Sequence, residues 1–257
     1  MNQSSSDIRQ RFLFPNSDIR GEIVRLSNSL TPITSARDYS LEAESLLAEA
    51  VAAATLMSGS LKFNGRLSIQ AQGDGAVKLL LAECNHNSEI RALIQTNDDV
   101  PVPNTATPRE LLGDGVMAIT IRPDQGQDYQ GMVPLAGDSL AACLEDYFTH
   151  SEQLPTRIWL ASGNGQAAGL MLQALPQQVA SAEENQRTWE HVVALSETLS
   201  MEELLGLPVE TVLHRLFHET PPQLPAAQPV SFGCTCSRER VERALISLGA
   251  IELQEIL

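Results

Sequence analysis

The run from Leu67 to Ile94 is the strongest constraint on the fold. Leu67-Ser68-Ile69-Gln70-Ala71-Gln72 alternates apolar and polar residues, and a strand places successive side chains on opposite faces. Gly73-Asp74-Gly75 supplies a tight turn, because glycine adopts positive φ without steric cost. Val77 to Ala82 is almost continuously apolar, as expected of a central strand. Cys84-Asn85-His86-Asn87 then turns the chain into a third strand, Glu89 to Ile94. Strands joined by turns this short pair antiparallel, so the segment predicts a meander.

The flanking segments mix helices with more hairpins. Residues 8 to 26 read as a strand, a turn at Pro15-Asn16-Ser17 and a second strand ending at Leu26. Residues 40 to 57 are rich in Leu, Ala and Glu and predict a long helix, with Asp38 or Ser40 as N-cap and Gly59 past its end. Val116 to Ile121 and Tyr129 to Val133 form a hairpin around Asp124-Gln125-Gly126. Ser139 to Thr149 predicts a helix with Leu140, Cys143, Leu144 and Tyr147 on one face. Arg157 to Ala161 and Gly169 to Leu175 are two further strands. Residues 1–178 therefore predict an α+β domain.

Beyond Pro176 the character changes. Ser181 to Thr220 reads as helical and carries eight Glu against two Arg, a net of −6. Ser200-Met201-Glu202-Glu203 fits a capping box. Val209, Val212, Leu213, Leu216 and Phe217 follow amphipathic helical spacing, and Trp189, Val192, Val193 and Leu199 suggest a similar face. Pro221, Pro222, Pro225 and Pro229 then make an extended, semi-rigid stretch. Residues 179–230 are thus an acidic helical linker region with a Pro-rich end. Residues 231–257 hold a C-x-C pair and a short predicted helix, Ser237 to Leu248, stopped by Gly249.

Composition excludes several functions. The net charge of −15 repels a phosphate backbone, so a nucleic-acid partner is not expected. Met1 to Arg11 shows no apolar signal region, and no stretch is long enough to span a bilayer. The richest apolar run, Ala48 to Met57, contains Glu49 and reads as a buried helix. A cytosolic location is the expectation, and there thiols stay reduced. Cys84 and Cys143 read as small buried hydrophobes.

Cys234-Thr235-Cys236 is different. Two thiolates this close can both reach one soft cation, and zinc usually takes four such ligands; a metal or redox role and a structural accident both remain open. His214 and His218, four apart on a predicted helix, share a face that suits zinc. They lack the Glu of H-E-x-x-H and read more simply as a solvated face. His86, His150 and His191 receive no catalytic role. Gly163-Asn164-Gly165-Gln166-Ala167-Ala168-Gly169 has the wrong spacing for a dinucleotide loop and reads as a hairpin turn. No nucleophile–base–orienter set can be assembled, so no enzymatic activity is expected.

The run Phe232-Gly233-Cys234-Thr235-Cys236-Ser237-Arg238-Glu239-Arg240-Val241 resembles the start of the redox switch in the 33 kDa chaperonin family, the bacterial redox-regulated heat-shock chaperones. Gly65-Arg66-Leu67-Ser68-Ile69-Gln70-Ala71-Gln72-Gly73-Asp74-Gly75 looks like that family's meander. Asn85-His86-Asn87 and Tyr147-Phe148-Thr149-His150-Ser151-Glu152-Gln153-Leu154-Pro155-Thr156 also match, and the resemblance covers essentially the whole chain. It implies a homodimeric holdase that keeps unfolding or oxidatively damaged clients from aggregating without ATP. It also implies a zinc site made by a C-x-C and a following C-x-x-C. Cys234 and Cys236 match the first pair, as zinc ligands and as a redox-active disulfide. Nothing before Leu257 matches the second pair, so the chain holds two of the four expected ligands. Ile251 to Leu257 reads as an apolar segment cut short, and C-terminal truncation is the expectation. The competing reading is a zinc-dependent enzyme or metal carrier using Cys234, Cys236, His214 and His218.

Overall fold

In the computed structural model, which describes residues 7–59, 64–97, 100, 107–234, 242, 243 and 246, the chain begins with strands β1 (Ile8–Leu13) and β2 (Ile19–Leu26) and helices α1 (Thr31–Thr34) and α2 (Leu41–Ser58). The meander follows as β3 (Gly65–Gly73), β4 (Val77–Asn85) and β5 (Glu89–Thr96), then α3 (Pro108–Leu112) and the hairpin β6 (Gly115–Pro123) and β7 (Tyr129–Pro134). Next come α4 (Leu140–Tyr147), a π-helical turn (Phe148–Glu152), and β8 (Thr156–Gly163) with β9 (Gln166–Ala174). The last elements are α5 (Ala182–Ser196), α6 (Met201–Gly206), α7 (Val209–Phe217) and two short strands, β10 (Gln228–Pro229) and β11 (Ser231–Phe232).

The strands form two sheets. The first has the order β10-β1-β2-β9-β8, the second β11-β5-β4-β3-β6-β7. Helix α2 contacts strands of both, with β2, β8 and β9 from one and β3, β4 and β5 from the other. That position explains its composition. Ala43, Leu46, Leu47, Ala50 to Ala54, Leu56 and Met57 are all buried, and a helix apolar all round is one that is covered all round. Ser40, not Asp38, is its cap, accepting from the Ala43 N–H at 3.2 Å. The main core lies around α2.

A second core lies on the other face of the first sheet. Phe12, Phe14, Ile19, Ile23, Ala161, Ala168, Leu170 and Leu172 meet Val192, Leu204, Val209, Val212, Leu213, Leu216 and Phe217 of α5–α7. Phe12 faces Gly21 across β1 and β2. A Cβ on Gly21 would sit 2.0 Å from the Phe12 ring, so only glycine lets the ring lie over β2.

The α+β expectation holds, with local corrections. Cys84 and Asn85 complete β4 instead of opening the turn, because Cys84 pairs with both Leu67 and Ile90. Strand β9 starts at Gln166, three residues earlier than its sequence suggests, because the Gly163-Asn164-Gly165 turn pairs Gly163 directly with Gln166. The helix expected from Ser139 gives way at Phe148 to the π turn, ended by Gln153 in the left-handed region (φ 55°). The predicted helix 237–248 lies outside the described residues apart from helical Glu242, Arg243 and Ile246. Among the described residues, no helix is long and apolar enough to cross a membrane.

Candidate functional site

The layer formed by α5–α7 is where the sequence's amphipathic stripe meets a partner. Val209, Val212, Leu213, Leu216 and Phe217 are buried on the sheet. Phe217 packs edge-on to Phe14, with ring centroids 4.9 Å apart, and lies 5.9 Å from Phe12. Two capping boxes start the first two helices: Ser181 with Glu184, and Ser200 with Glu203. The first has its signal in Ser181-Ala182-Glu183-Glu184, where the pattern merges with the surrounding acidic residues.

A few polar clamps hold this layer at its ends. Asp18, in the β1–β2 turn, accepts from the Val179 and Ala180 N–H groups and from the Asn185 amide at 2.7 Å. Its own N–H donates to Asn185 Oδ1 at 2.8 Å. The Asn185 bond does most to hold the Asp18 carboxyl down at about 2, with backbone bonds from Gln178, Val179 and Ala180 helping and burial opposing. Arg25 donates to the Leu207 carbonyl at 2.6 Å, and Arg215 pairs with Glu203 at 2.7 Å across α7 and α6. No sequence signal marks Asp18, since an Asp beside a turn is ordinary.

The Pro-rich stretch is a strap joining the edges of both sheets. Leu13 and Gln223 exchange backbone hydrogen bonds of 3.0 and 2.8 Å. Arg9 and Ile8 face Gln228 and Pro229 antiparallel, and Arg9 donates a side-chain hydrogen bond to Gln228 Oε1. The Val230 N–H donates to the Asp7 carbonyl at 2.9 Å. The chain then crosses to the second sheet, where Ser231 and Phe232 run parallel to Glu89 and Ile90. Val230 alone along this strap is buried, within the main core. The Gly233 N–H donates to the Ile90 carbonyl at 3.0 Å, and a Cβ on Gly233 would sit 2.7 Å from that of Glu89.

Cys234 follows immediately and is exposed; Cys236 lies outside the described residues. Among the described residues no group of three or more His, Cys, Asp or Glu side chains could hold a metal. The described part of the chain therefore does not by itself fit a four-ligand zinc site. His214 and His218 do come together, ring centroids 6.3 Å apart, but on the exposed side of α7, opposite its buried stripe. Cys84 and Cys143 are buried. Burial pushes both thiols up, against a 3.1 Å hydrogen bond from Ser58 Oγ in the case of Cys84.

A family profile described as Hsp33 protein matches residues 7–257. A 33 kDa chaperonin of Pseudomonas savastanoi pv. phaseolicola is 44% identical over 253 residues, 98% of this chain and 84% of that protein. The chain belongs to the Hsp33 family. A 33 kDa chaperonin of Azotobacter vinelandii is likewise 44% identical, over 99% of this chain and 86% of its own length. The Hsp33 homologue of Thermotoga maritima, a solved structure, superposes with a TM-score of 0.82 at 21% identity, over 96% of this chain and 87% of that one. Hsp33 membership makes this chain one of a family of chaperones, and its α+β architecture is shared across distant members.

Proposed function

We propose that this Hsp33-family chain is a redox-regulated, ATP-independent holdase of the cytoplasm whose client surface lies under α5–α7. The observation that carries the proposal is the second core. An apolar sheet face is covered by a layer of short helices held by one stripe of side chains and a few clamps. That layer continues through the strap into Cys234. Lifting it exposes Phe12, Phe14, Ile23, Leu170 and Leu172 together with the helices' own apolar stripe. A contiguous apolar patch of that kind binds other apolar surface. The acidic outer residues of the helices keep the open form soluble.

The trigger in this proposal is Cys234 with Cys236. Hydrogen peroxide converts the two thiols to a disulfide; their two electrons and two protons go to the peroxide, which leaves as two waters. A ring closed by residues only two apart is strained and readily reduced again. Zinc held in part by these two cysteines belongs to the same proposal, as does a homodimer. Unfolded and oxidatively damaged proteins are the proposed partners.

The test is light scattering of a heat-unfolding client with the 257-residue chain, without nucleotide. With two of the four family cysteines, the polypeptide is expected to suppress aggregation even in reductant, and Cys234→Ser with Cys236→Ser is expected to leave that activity intact. In a chain carrying the C-x-x-C as well, suppression is expected only after oxidant. Suppression that requires ATP, or none under any redox condition, would refute the proposal.

A further inference from the structure

The strap does more than connect. In β1 the Leu13 N–H and carbonyl and the Asp7 carbonyl face the strap, and backbone groups along a strand alternate sides. Arg9 and Arg11 therefore present theirs to the same edge. The strap uses this edge poorly. Pro225, two residues beyond Gln223, carries no N–H to offer the Arg11 carbonyl. Five residue steps from Gln223 to Gln228 answer four from Leu13 to Arg9, so the strap bulges. Gln10 Nε2 fills the gap, donating at 2.6 Å both to the Arg11 carbonyl and to the Pro225 carbonyl. Beneath the bulge a cavity of about 320 Å³ is lined by Arg9, Arg11, Glu22, Ser58 and His86. Here Glu22 is 1% exposed and its Oε2 has no hydrogen-bond partner.

We infer that the strap is a weak stand-in for client, and that an extended segment of an unfolded client adds antiparallel to β1 in its place. This rests on the holdase reading and names where on the molecule the main chain of the client is gripped. The occupant is specified by what the strap shows the edge to accept. It is an extended segment without proline at the ladder positions. It carries a Gln, Glu or Asp opposite Arg9, as Gln228 does, and a β-branched apolar residue two positions later, as Val230 is. Such a segment satisfies the Arg11 carbonyl directly, a group that the strap leaves to the Gln10 side chain. It therefore displaces the strap once the strap is loosened. Main-chain pairing is also indifferent to most of the client's sequence, which suits a chaperone with many partners.

Amide hydrogen exchange on the full chain, alone and with heat-unfolding citrate synthase, tests the inference. In the complex the Val230, Ser231 and Gly233 amides are expected to exchange at least about tenfold faster than in the chain alone, while the Leu13 amide stays protected. A synthetic peptide of residues 223–233 with Pro225→Thr is expected to compete with citrate synthase. The same peptide N-methylated at Val230, which cannot donate to Asp7, is expected to compete about tenfold less well. Strap amides that remain protected in the complex overturn the inference. So does a Leu13 amide that opens along with them, or equal competition by the two peptides. Any of these with aggregation still suppressed leaves the holdase reading standing; loss of suppression itself sinks that reading instead.

Discussion

Replacing Phe217 by Ala isolates the attachment of the helical layer. The ring is 1% exposed and sits 4.9 Å from Phe14 and 5.9 Å from Phe12. A buried Phe→Ala change costs about 3–5 kcal/mol through lost transfer energy and the cavity left behind. Phe217 lies in the second core, whereas α2 and the sheet-to-sheet packing lie in the first. The cost should therefore be felt by every opening that frees α7, and the smallest of these leaves the first core closed. At the lower figure, about 3 kcal/mol, the open population rises about a hundredfold, since about 1.4 kcal/mol is a factor of ten. Amide exchange read residue by residue is the assay. The amides at positions 213, 216 and 217 should accelerate about a hundredfold and exchange faster than those of Val51 to Leu56 in α2, which open only with the main core. If α7 and α2 amides share one common protection before and after the change, the layer is no separable unit and the reasoning fails. It fails equally if α7 amides change less than about threefold.

Three further outcomes follow from single contacts. Asp18 titrates at about 2 when folded against an ordinary 3.8. Its lowered value means that its contribution is complete above about pH 4 and is lost as the pH falls toward 2; exchange at Val179 and Ala180 should rise over that window in the natural chain and lose this dependence in Asp18→Asn. Gly21→Ala forces the Phe12 ring to move and should cost about 1–3 kcal/mol by overpacking. Combined with Phe217→Ala its effect on the melting temperature should be less than additive, because both act on one aromatic cluster. Iodoacetamide followed by peptide mass mapping should modify Cys234 in the native chain, and Cys84 and Cys143 only after denaturation; rapid native labelling of Cys84 would contradict its burial.

Sequence patterns showed the parts whose partners are near in the chain. The meander was legible because β3, β4 and β5 are joined by short turns and pair in sequence order. The stripe Val209 to Phe217 was legible because helical spacing marks the buried face without saying what buries it. That the cover is Phe12, Phe14 and Leu170, far away in sequence, left no local trace. The strap shows the same limit more sharply. Four prolines read as an extended, semi-rigid linker, and proline is rare within ladders. Yet Gln228 pairs with Arg9 and Ser231 with Glu89. Edge positions tolerate proline when its missing N–H is not needed, and only the tertiary structure shows that these are edges. The C-x-C motif of Cys234 and Cys236 was legible, and with it the family resemblance. Asp18 and its bond to Asn185 were not, since either residue alone suits an exposed turn or helix start.

The two attachments of the C-terminal segment lie next to each other at the end of β1, and this adjacency gives release an order. Leu13 holds Gln223 through its backbone, while the neighbouring Phe14 holds Phe217 through its ring. A disturbance at Cys234 first meets the Gly233 bond to Ile90, then Val230 and Gln228, and only after Gln223 does it reach the anchor of α7. Apart from Val230, which leaves the main core, each step breaks an edge contact or an outer-face contact. None breaks the contacts of α2 with the two sheets, which are made from the inner faces. The strap joins the sheets at their margins, but α2 joins them at their centre. Losing the first attachment can therefore expose the second core while leaving the main core closed. This separation lets a chaperone uncover apolar surface without itself unfolding.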